Sequence, residues 1–203
     1  MDLIVLALIT FVASTVNGAL GYGFSSITVP VALLFYTNRI LNPALVLVEL
    51  VINGYVLFIN RKSIRNIWWR VAPILIGLVI GVAIGSYILS LVHPAWVKFV
   101  TYIMLLPLIL LQAAGIRKPI QAEKAIAIPF GVAIGTLYSV TTISGPPLAV
   151  LFNNQGYAKQ DFRAALGVIR VAEGVFTGIA YYFIGLYSYE SMAIIPYIIP
   201  SVL

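Results

Sequence analysis

Long apolar runs, separated by short polar stretches, dominate this amino-acid sequence. A helix that crosses a lipid bilayer needs roughly 20 mainly apolar residues. The candidate crossings are 41–60, 71–92, 95–115, 162–184 and a run that begins at 192. Only 9% of the residues are charged, whereas a soluble domain usually carries about 25%. The sequence therefore predicts an all-α, polytopic membrane protein, and it argues against a soluble enzyme or a nucleic-acid-binding protein.

Two further apolar segments, 3–36 and 125–155, are too long for one ordinary crossing and contain glycine and proline near their centres. Glycine disfavours helix, and proline disfavours the helical region for the residue before it. We therefore expect both segments to break at membrane depth. A shift of 117 positions relates them and pairs Gly18 with Gly135 and Pro30 with Pro147. Interrupted segments at matching places in two halves indicate the binding site of a transporter.

The chain divides into two halves at a basic stretch. We predict a first transmembrane repeat over 1–116, a cytoplasmic linker over 117–124 and an incomplete second repeat over 125–203. If each broken segment is a re-entrant hairpin, nine Lys and Arg lie inside and two outside, against seven and four for single crossings. Since cytoplasmic loops are enriched in positive charge, this count favours inverted repeats whose hairpins enter from opposite faces. It also places the basic loops 61–70, 117–124 and 157–163 in the cytoplasm, beneath the plasma membrane.

The residues around the two breaks resemble a known family. The glycine-rich motif Asn17-Gly-Ala-Leu-Gly-Tyr-Gly-Phe with Pro30, the run from Gly135 to Pro147, and the turn that leads to Arg163 are similar to the TauE/SafE family of sulfite exporters and sulfonate-uptake permeases. The resemblance implies an anion transporter with two similar halves, which carries sulfite, sulfonates or other small organic anions. The sequence stops inside what would be the family's penultimate crossing. We therefore expect the last helix to be missing, in a fragment or in a shortened variant.

Hydroxyl side chains accompany both breaks. An interrupted helix exposes backbone N–H groups that carry partial positive charge, and Pro30 and Pro146 suit the first turn of the half-helices that follow. Such groups can hold an oxyanion; alternatively, the hydroxyls only satisfy the freed backbone groups. The predicted anion-binding residues at the breaks are Asn17, Ser25, Ser26, Thr28, Thr141, Thr142 and Ser144, the last three of which stand where the family often has further glycines.

Three ionisable residues lie within predicted spans: Glu49, Arg170 and Glu173. A charge at the bilayer centre costs from about 2.5 to more than 10 kcal/mol, so it usually finds a partner. Arg170 and Glu173 share a helix face and can pair, either as a structural ion pair or as an anion-binding arginine beside a carboxyl that fixes its orientation or takes up a proton. Glu49 has Asn53 one turn later and no obvious cation, which favours a protonated carboxyl. It serves either proton coupling or a buried hydrogen bond.

No motif for a nucleotide, a metal ion or nucleophilic catalysis is present, so we predict no cofactor, no metal site and no enzymatic activity. The predicted function is secondary transport of a small anion by alternating access, with the lipid bilayer as the other partner and protons as a candidate coupling ion. A non-transporting helical scaffold and a passive anion channel are the alternatives. The glycine stripes predict close helix packing, within the chain or in a homo-oligomer. They are Gly77, Gly81, Gly85 and Gly174, Gly178.

Overall fold

The computed structural model describes residues 2–113 and 123–198, and every regular element in these ranges is helical. In chain order the helices are α1 (Asp2–Leu20), α2 (Phe24–Ala32), α3 (Asn38–Asn60), a 3₁₀ turn (Arg61–Ser63), α4 (Ile64–Leu91), α5 (Pro94–Ala113), α6 (Glu123–Thr141), α7 (Gly145–Asn154), α8 (Lys159–Ile184) and α9 (Tyr189–Ile198). The predicted all-α fold is confirmed. Within these ranges three helical stretches are long and apolar enough to cross a membrane: Leu3–Leu20, Asn38–Leu91, which joins α3 and α4, and Lys159–Ile184.

The helices lie where the apolar runs predict them. The largest difference is at α4, which begins at Ile64 and not at 71, because the helix continues through polar and aromatic residues beyond the apolar run. The predicted linker 117–124 lies outside the described residues except for Glu123 and Lys124, which begin α6. The division into two repeats at this linker stays a prediction.

Helices α4 and α6 pack backbone to backbone along a seam of glycines. A Cβ atom on Gly77, Gly81 or Gly85 of α4 would collide with α6. The α6 residues that these three glycines meet advance along the chain in the same order: Ile128, Val132 and Thr136. The two helices therefore run parallel, and the close packing predicted for this glycine stripe occurs within the chain.

Helix α8 runs antiparallel to α3, since the residues that its glycines meet on α3 come in reverse order. Gly167, Gly174 and Gly178 of α8 lie against Leu57, Leu50 and Val46. Helix α3 is in turn antiparallel to α4, because Arg39 near its start donates to the last carbonyls of α4. Helices α4, α6 and α8 therefore all point one way, and α3 points the other way.

These directions make each interrupted segment a hairpin. Helix α7 joins α6 to α8, which point the same way, so α7 must run back between them. Helix α1 is antiparallel to α8, because Asn17 and Ala19 lie against Arg170 and Arg163, respectively. It therefore points the same way as α3, and α2 must run back between α1 and α3. Since α1 and α6 run in opposite directions, the two hairpins enter from opposite ends of the bundle, as predicted.

Different residues form the two breaks. In the first hairpin, Gly21 and Gly23 have φ of 85° and 114°, a left-handed region that glycine adopts without strain. In the second, Thr142 has φ of 58°. Pro146 lies in the first turn of α7 as predicted. The same prediction for Pro30 is wrong: Pro30 lies near the end of α2, because the glycines terminate α1 and the next helix restarts at once at Phe24.

Candidate functional site

Arg170 on α8 and Glu49 on α3 form a buried ion pair at the centre of the bundle. Nη2 of Arg170 lies 2.9 Å from Oε1 of Glu49, and the side chains are 2% and 1% exposed. Among the described residues, Glu49 is the acid paired with Arg170, so the predicted pair with Glu173 is wrong. The expectation that Glu49 has no cation is corrected by the same contact. The reason is that α3 packs against α8 at Gly174, which brings Glu49 across to Arg170.

Two hydroxyl groups complete the surroundings of the Glu49 carboxylate. Ser25, in the first turn of α2, donates to Oε1. Tyr138, on α6, donates to Oε2 at 2.9 Å. Ser25 is among the predicted site residues and Tyr138 is not. The available signal was a tyrosine one turn before the second break, on a helix whose other residues after Lys124 are small or apolar, since a buried tyrosine hydroxyl usually finds a partner.

The second half repeats this arrangement around Glu173. Ser144, directly before α7, donates to Oε2 of Glu173 at 2.6 Å. An offset of 124 positions relates α3 to α8 and pairs Glu49 with Glu173, Asn53 with Thr177 and Gly54 with Gly178. Each half therefore supplies a serine at the start of a short helix and a glutamate in the long helix that follows. Arg170 breaks the symmetry, because the matching position on α3 is Val46.

The two breaks meet beside Arg170. A Cβ atom on Gly145, the first residue of α7, would lie 3.2 Å from the Cβ of Tyr22 in the first break and 3.7 Å from Nη1 of Arg170. Asn17, near the end of α1, accepts a hydrogen bond from the same Nη1 at 3.5 Å. Arg170 therefore contacts the first hairpin through Asn17 and lies close to the start of α7 in the second hairpin, at Gly145.

The other predicted hydroxyls differ in what they contact. Thr141 donates to a carbonyl one turn earlier in α6 at 2.7 Å and accepts from the N–H of Ile143 at 3.1 Å. Thr142 donates to the carbonyl of Thr141 at 2.7 Å. Both threonines thus satisfy backbone groups freed by the break, which was the alternative explanation. On α2, Thr28 is fully buried and Ser26 is half-buried.

The helices of this cluster also carry buried polar atoms that have no hydrogen-bond partner among the described residues. They are Nε of Arg170, Nδ2 of Asn17 and Asn53, Oγ1 of Thr28 and Thr177, Oε1 of Glu173, and Oδ1 of Asn38 and Asn42. The first five of these atoms can donate a hydrogen bond, and the other three are acceptors, so the cluster has donors to offer an acceptor-rich ligand. Over the same described ranges, no group of three His, Asp or Glu side chains is arranged to hold a metal ion.

A groove of about 720 Å³ opens between α1 and α3. Its wall is mainly apolar, with Arg163 and Asn60 at one end. Among the cluster residues, Asn17 is the one that lines it. Asn17 therefore connects the buried cluster to the groove.

One family model matches nearly the whole chain. The family model for the sulfite exporter TauE/SafE matches residues 6–203. The chain belongs to this family. No curated protein and no solved structure matches the chain. TauE/SafE is a family of membrane transporters, and this TauE/SafE chain has helices long and apolar enough to cross a bilayer. The resemblance predicted from the residues around the two breaks is confirmed, and the protein is a membrane protein of a transporter family.

Proposed function

We propose that this TauE/SafE protein is a secondary transporter of small anions, with sulfite and sulfonates as its substrates. The observation that carries the proposal is the buried Arg170 at the point where the two hairpins meet. A charged residue inside a membrane protein is costly, and it usually marks the path of a substrate or an ion. The sulfite-exporter description of the family supports an anion as the solute.

The proposed binding position is next to the Arg170 guanidinium, between the hairpin tips. Helix α7 begins at Gly145, and the start of a helix carries partial positive charge. Pro146 and Pro147 have no N–H, so Gly145 is the one residue of the first three that offers a backbone donor. Nε of Arg170 and Nδ2 of Asn17 are further donors without a partner among the described residues. An oxyanion with three or four acceptor oxygens matches such a convergent set of donors.

The proposed mechanism is alternating access around the two hairpins. The hairpins enter from opposite ends, and each presents a serine to a glutamate, Ser25 to Glu49 and Ser144 to Glu173. Such a repeated, inverted arrangement around one central position is typical of secondary transporters. Proton coupling through Glu49 or Glu173 is part of the same proposal. So is the orientation in the plasma membrane, with the basic loops 61–70, 117–124 and 157–163 in the cytoplasm.

A flux assay in proteoliposomes tests the proposal. Labelled sulfite, sulfoacetate, methanesulfonate, sulfate and a carboxylate are compared with and without a pH gradient. We expect saturable uptake of sulfite or a sulfonate, together with counterflow, in which unlabelled anion inside drives accumulation of labelled anion. Uptake without saturation or counterflow would indicate a passive channel. A purified, folded protein that moves no anion would indicate a scaffold, and either result overturns the proposal.

A further inference from the structure

The carboxylate of Glu49 is bound as a free oxyanion would be bound. One of its oxygens accepts from the Arg170 guanidinium at 2.9 Å and from Ser25, and the other accepts from Tyr138 at 2.9 Å. The donors come from α8, α2 and α6, so they converge from both halves of the bundle. A sulfonate or sulfite would seek this combination of a guanidinium and hydroxyl groups. In the described conformation these donors are already taken by a side chain of the protein itself.

The balance of buried charges also opposes the binding of an anion beside Arg170 while Glu49 is ionised. Among the residues whose burial the structure describes, Arg170 is the buried cation, and Glu49 and Glu173 are the buried acids. A bound anion would place a further negative charge beside this single guanidinium. Uncompensated charges in a low-dielectric interior are strongly unfavourable. The anion can therefore pair with Arg170 only if a carboxylate is neutralised.

The position of Glu49 distinguishes it from Glu173. The titratable and charged groups that face Glu49 are Arg170 and Glu173 from α8 and Tyr138 from α6, whereas α2 contributes the hydroxyl of Ser25. Glu49 is bonded directly to Arg170. Glu173 is held by Ser144, and its Oε1 has no partner within the described chain. Protonation of Glu49 therefore frees the guanidinium, whereas protonation of Glu173 leaves the ion pair in place.

We propose that the carboxylate of Glu49 competes with the transported anion for Arg170, so that one proton is taken up by Glu49 for each anion bound. This proposal rests on the proposed transport function and gives that function a coupling mechanism. At low pH Glu49 is neutral and the anion pairs with Arg170. As pH rises, Glu49 loses its proton, returns to Arg170 and displaces the anion. The protein is thereby an anion–proton symporter whose own side chain occupies the site between cycles.

Calorimetric titration in lipid nanodiscs measures this linkage, with methanesulfonate as the probe because its charge does not change near neutral pH. For wild-type protein we expect the Kd to rise about tenfold for each pH unit above the protonation midpoint. Titration in buffers of different ionisation enthalpy should show one proton taken up per anion. In Glu49→Gln the affinity should stay high at every pH, with no proton uptake, because the amide is neutral. Glu173→Gln should keep the wild-type pH slope, and the exposed Glu190→Gln serves as the control outside the cluster.

Two outcomes would overturn the proposed competition between Glu49 and the anion for Arg170. In the first, Glu49→Gln keeps the wild-type pH slope or proton uptake. In the second, Glu173→Gln loses them. If Glu49→Gln does not fold, Glu49→Asp replaces it. The shorter side chain holds Arg170 less well, so the anion should bind more tightly than in wild-type protein at neutral pH, with proton uptake retained; unchanged or weaker binding contradicts the idea. Wild-type protein that moves none of the assayed anions removes the transport function as well, whereas transport with an unaltered pH slope in Glu49→Gln removes only the competition.

Discussion

Arg170 and Glu49 are 121 positions apart in the chain, yet Nη2 of the arginine lies 2.9 Å from Oε1 of the glutamate. The contact joins the long helix of the second half, α8, to that of the first, α3. Both side chains are buried, and hydroxyls from α2 and α6 complete the carboxylate's hydrogen bonds. The ion pair therefore links α3 and α8, the two helices that directly follow the hairpins.

Replacement of the buried arginine should stop transport. In Arg170→Ala we expect anion flux to fall by more than tenfold, because the loss of one partner of a buried charged pair costs about 2 to 5 kcal/mol. The measurement is initial uptake in proteoliposomes that contain equal amounts of inserted protein. Lys62→Ala, at an exposed position on the turn after α3, is the control and should keep near-wild-type flux. Unchanged flux in Arg170→Ala would remove the arginine from the site.

The two serine–glutamate contacts should contribute similarly. Ser25→Ala and Ser144→Ala each remove one hydrogen bond to a buried carboxyl, worth about 1 kcal/mol or somewhat more. We propose that each hydroxyl donates to the anion when it is bound, so we expect each substitution to raise the KM for the anion by about threefold to tenfold. The control is Ser90→Ala, outside the groove, whose hydroxyl donates to the carbonyl of Tyr87 in its own helix. If one serine variant matches wild type and the other loses function, the two halves do not share the binding role.

The seam between α4 and α6 should be intolerant of any side chain. In Gly81→Ala the added methyl group would collide with the backbone of α6 at Val132 and Thr136. Such overpacking typically costs about 1 to 3 kcal/mol, and we expect a lower Tm in detergent. Gly54→Ala is the matched control, because no atom lies within 4 Å of a Cβ there. Equal thermal stability of the two variants would contradict the close backbone contact.

Arg39 should stabilise the end of α4. Its Nε donates to the carbonyl of Leu89 at 2.9 Å, and its Nη2 donates to Ser90 and Val92 at 2.6 and 3.0 Å. We expect Arg39→Ala to cost about 2 kcal/mol of stability, since hydrogen bonds from a charged donor are lost at a helix C-terminus.

Thermal unfolding measures these variants, and Arg39→Lys tests whether a positive charge at this position is enough to stabilise the end of α4. An ammonium group lacks the planar fork of a guanidinium, so the lysine should recover only part of the loss. The exposed Arg65→Ala should unfold like wild-type protein. Full recovery in Arg39→Lys would indicate that the charge alone, and not the three carbonyl contacts, stabilises this end of α4.

The crossings and the two breaks could be predicted from the sequence because both depend on local chemistry. Apolar runs predict α3, α5 and α8 to within a few residues and the apolar part of α4, and Gly21 and Gly23 interrupt the first segment by their own conformational freedom. These properties require no knowledge of which helices touch. The pairing of Pro30 with Pro147 does not match the structure, because Pro30 lies near the end of α2 and Pro147 lies in the first turn of α7.

The partner of Arg170 could not be found in this way. Glu173 is the nearer acid in the chain, but the packing of Gly174 against Leu50 sets the register that brings Glu49 to the guanidinium. A register between distant helices is a property of tertiary packing. Tyr138 could be singled out by its position near the second break, but its acceptor, a carboxylate on another helix, depends on the same packing.

The parallel contact between α4 and α6 limits how the molecule can move. Helix α4 belongs to the first predicted repeat and α6 to the second, and their glycines leave no space for sliding or separation without loss of a continuous backbone interface. A rocking motion of one complete repeat against the other would therefore break the contact between α4 and α6. In the alternating access proposed above, exposure of the centre to either face would therefore be the task of the 9-residue α2 and the 10-residue α7, and the α4–α6 pair would stay fixed.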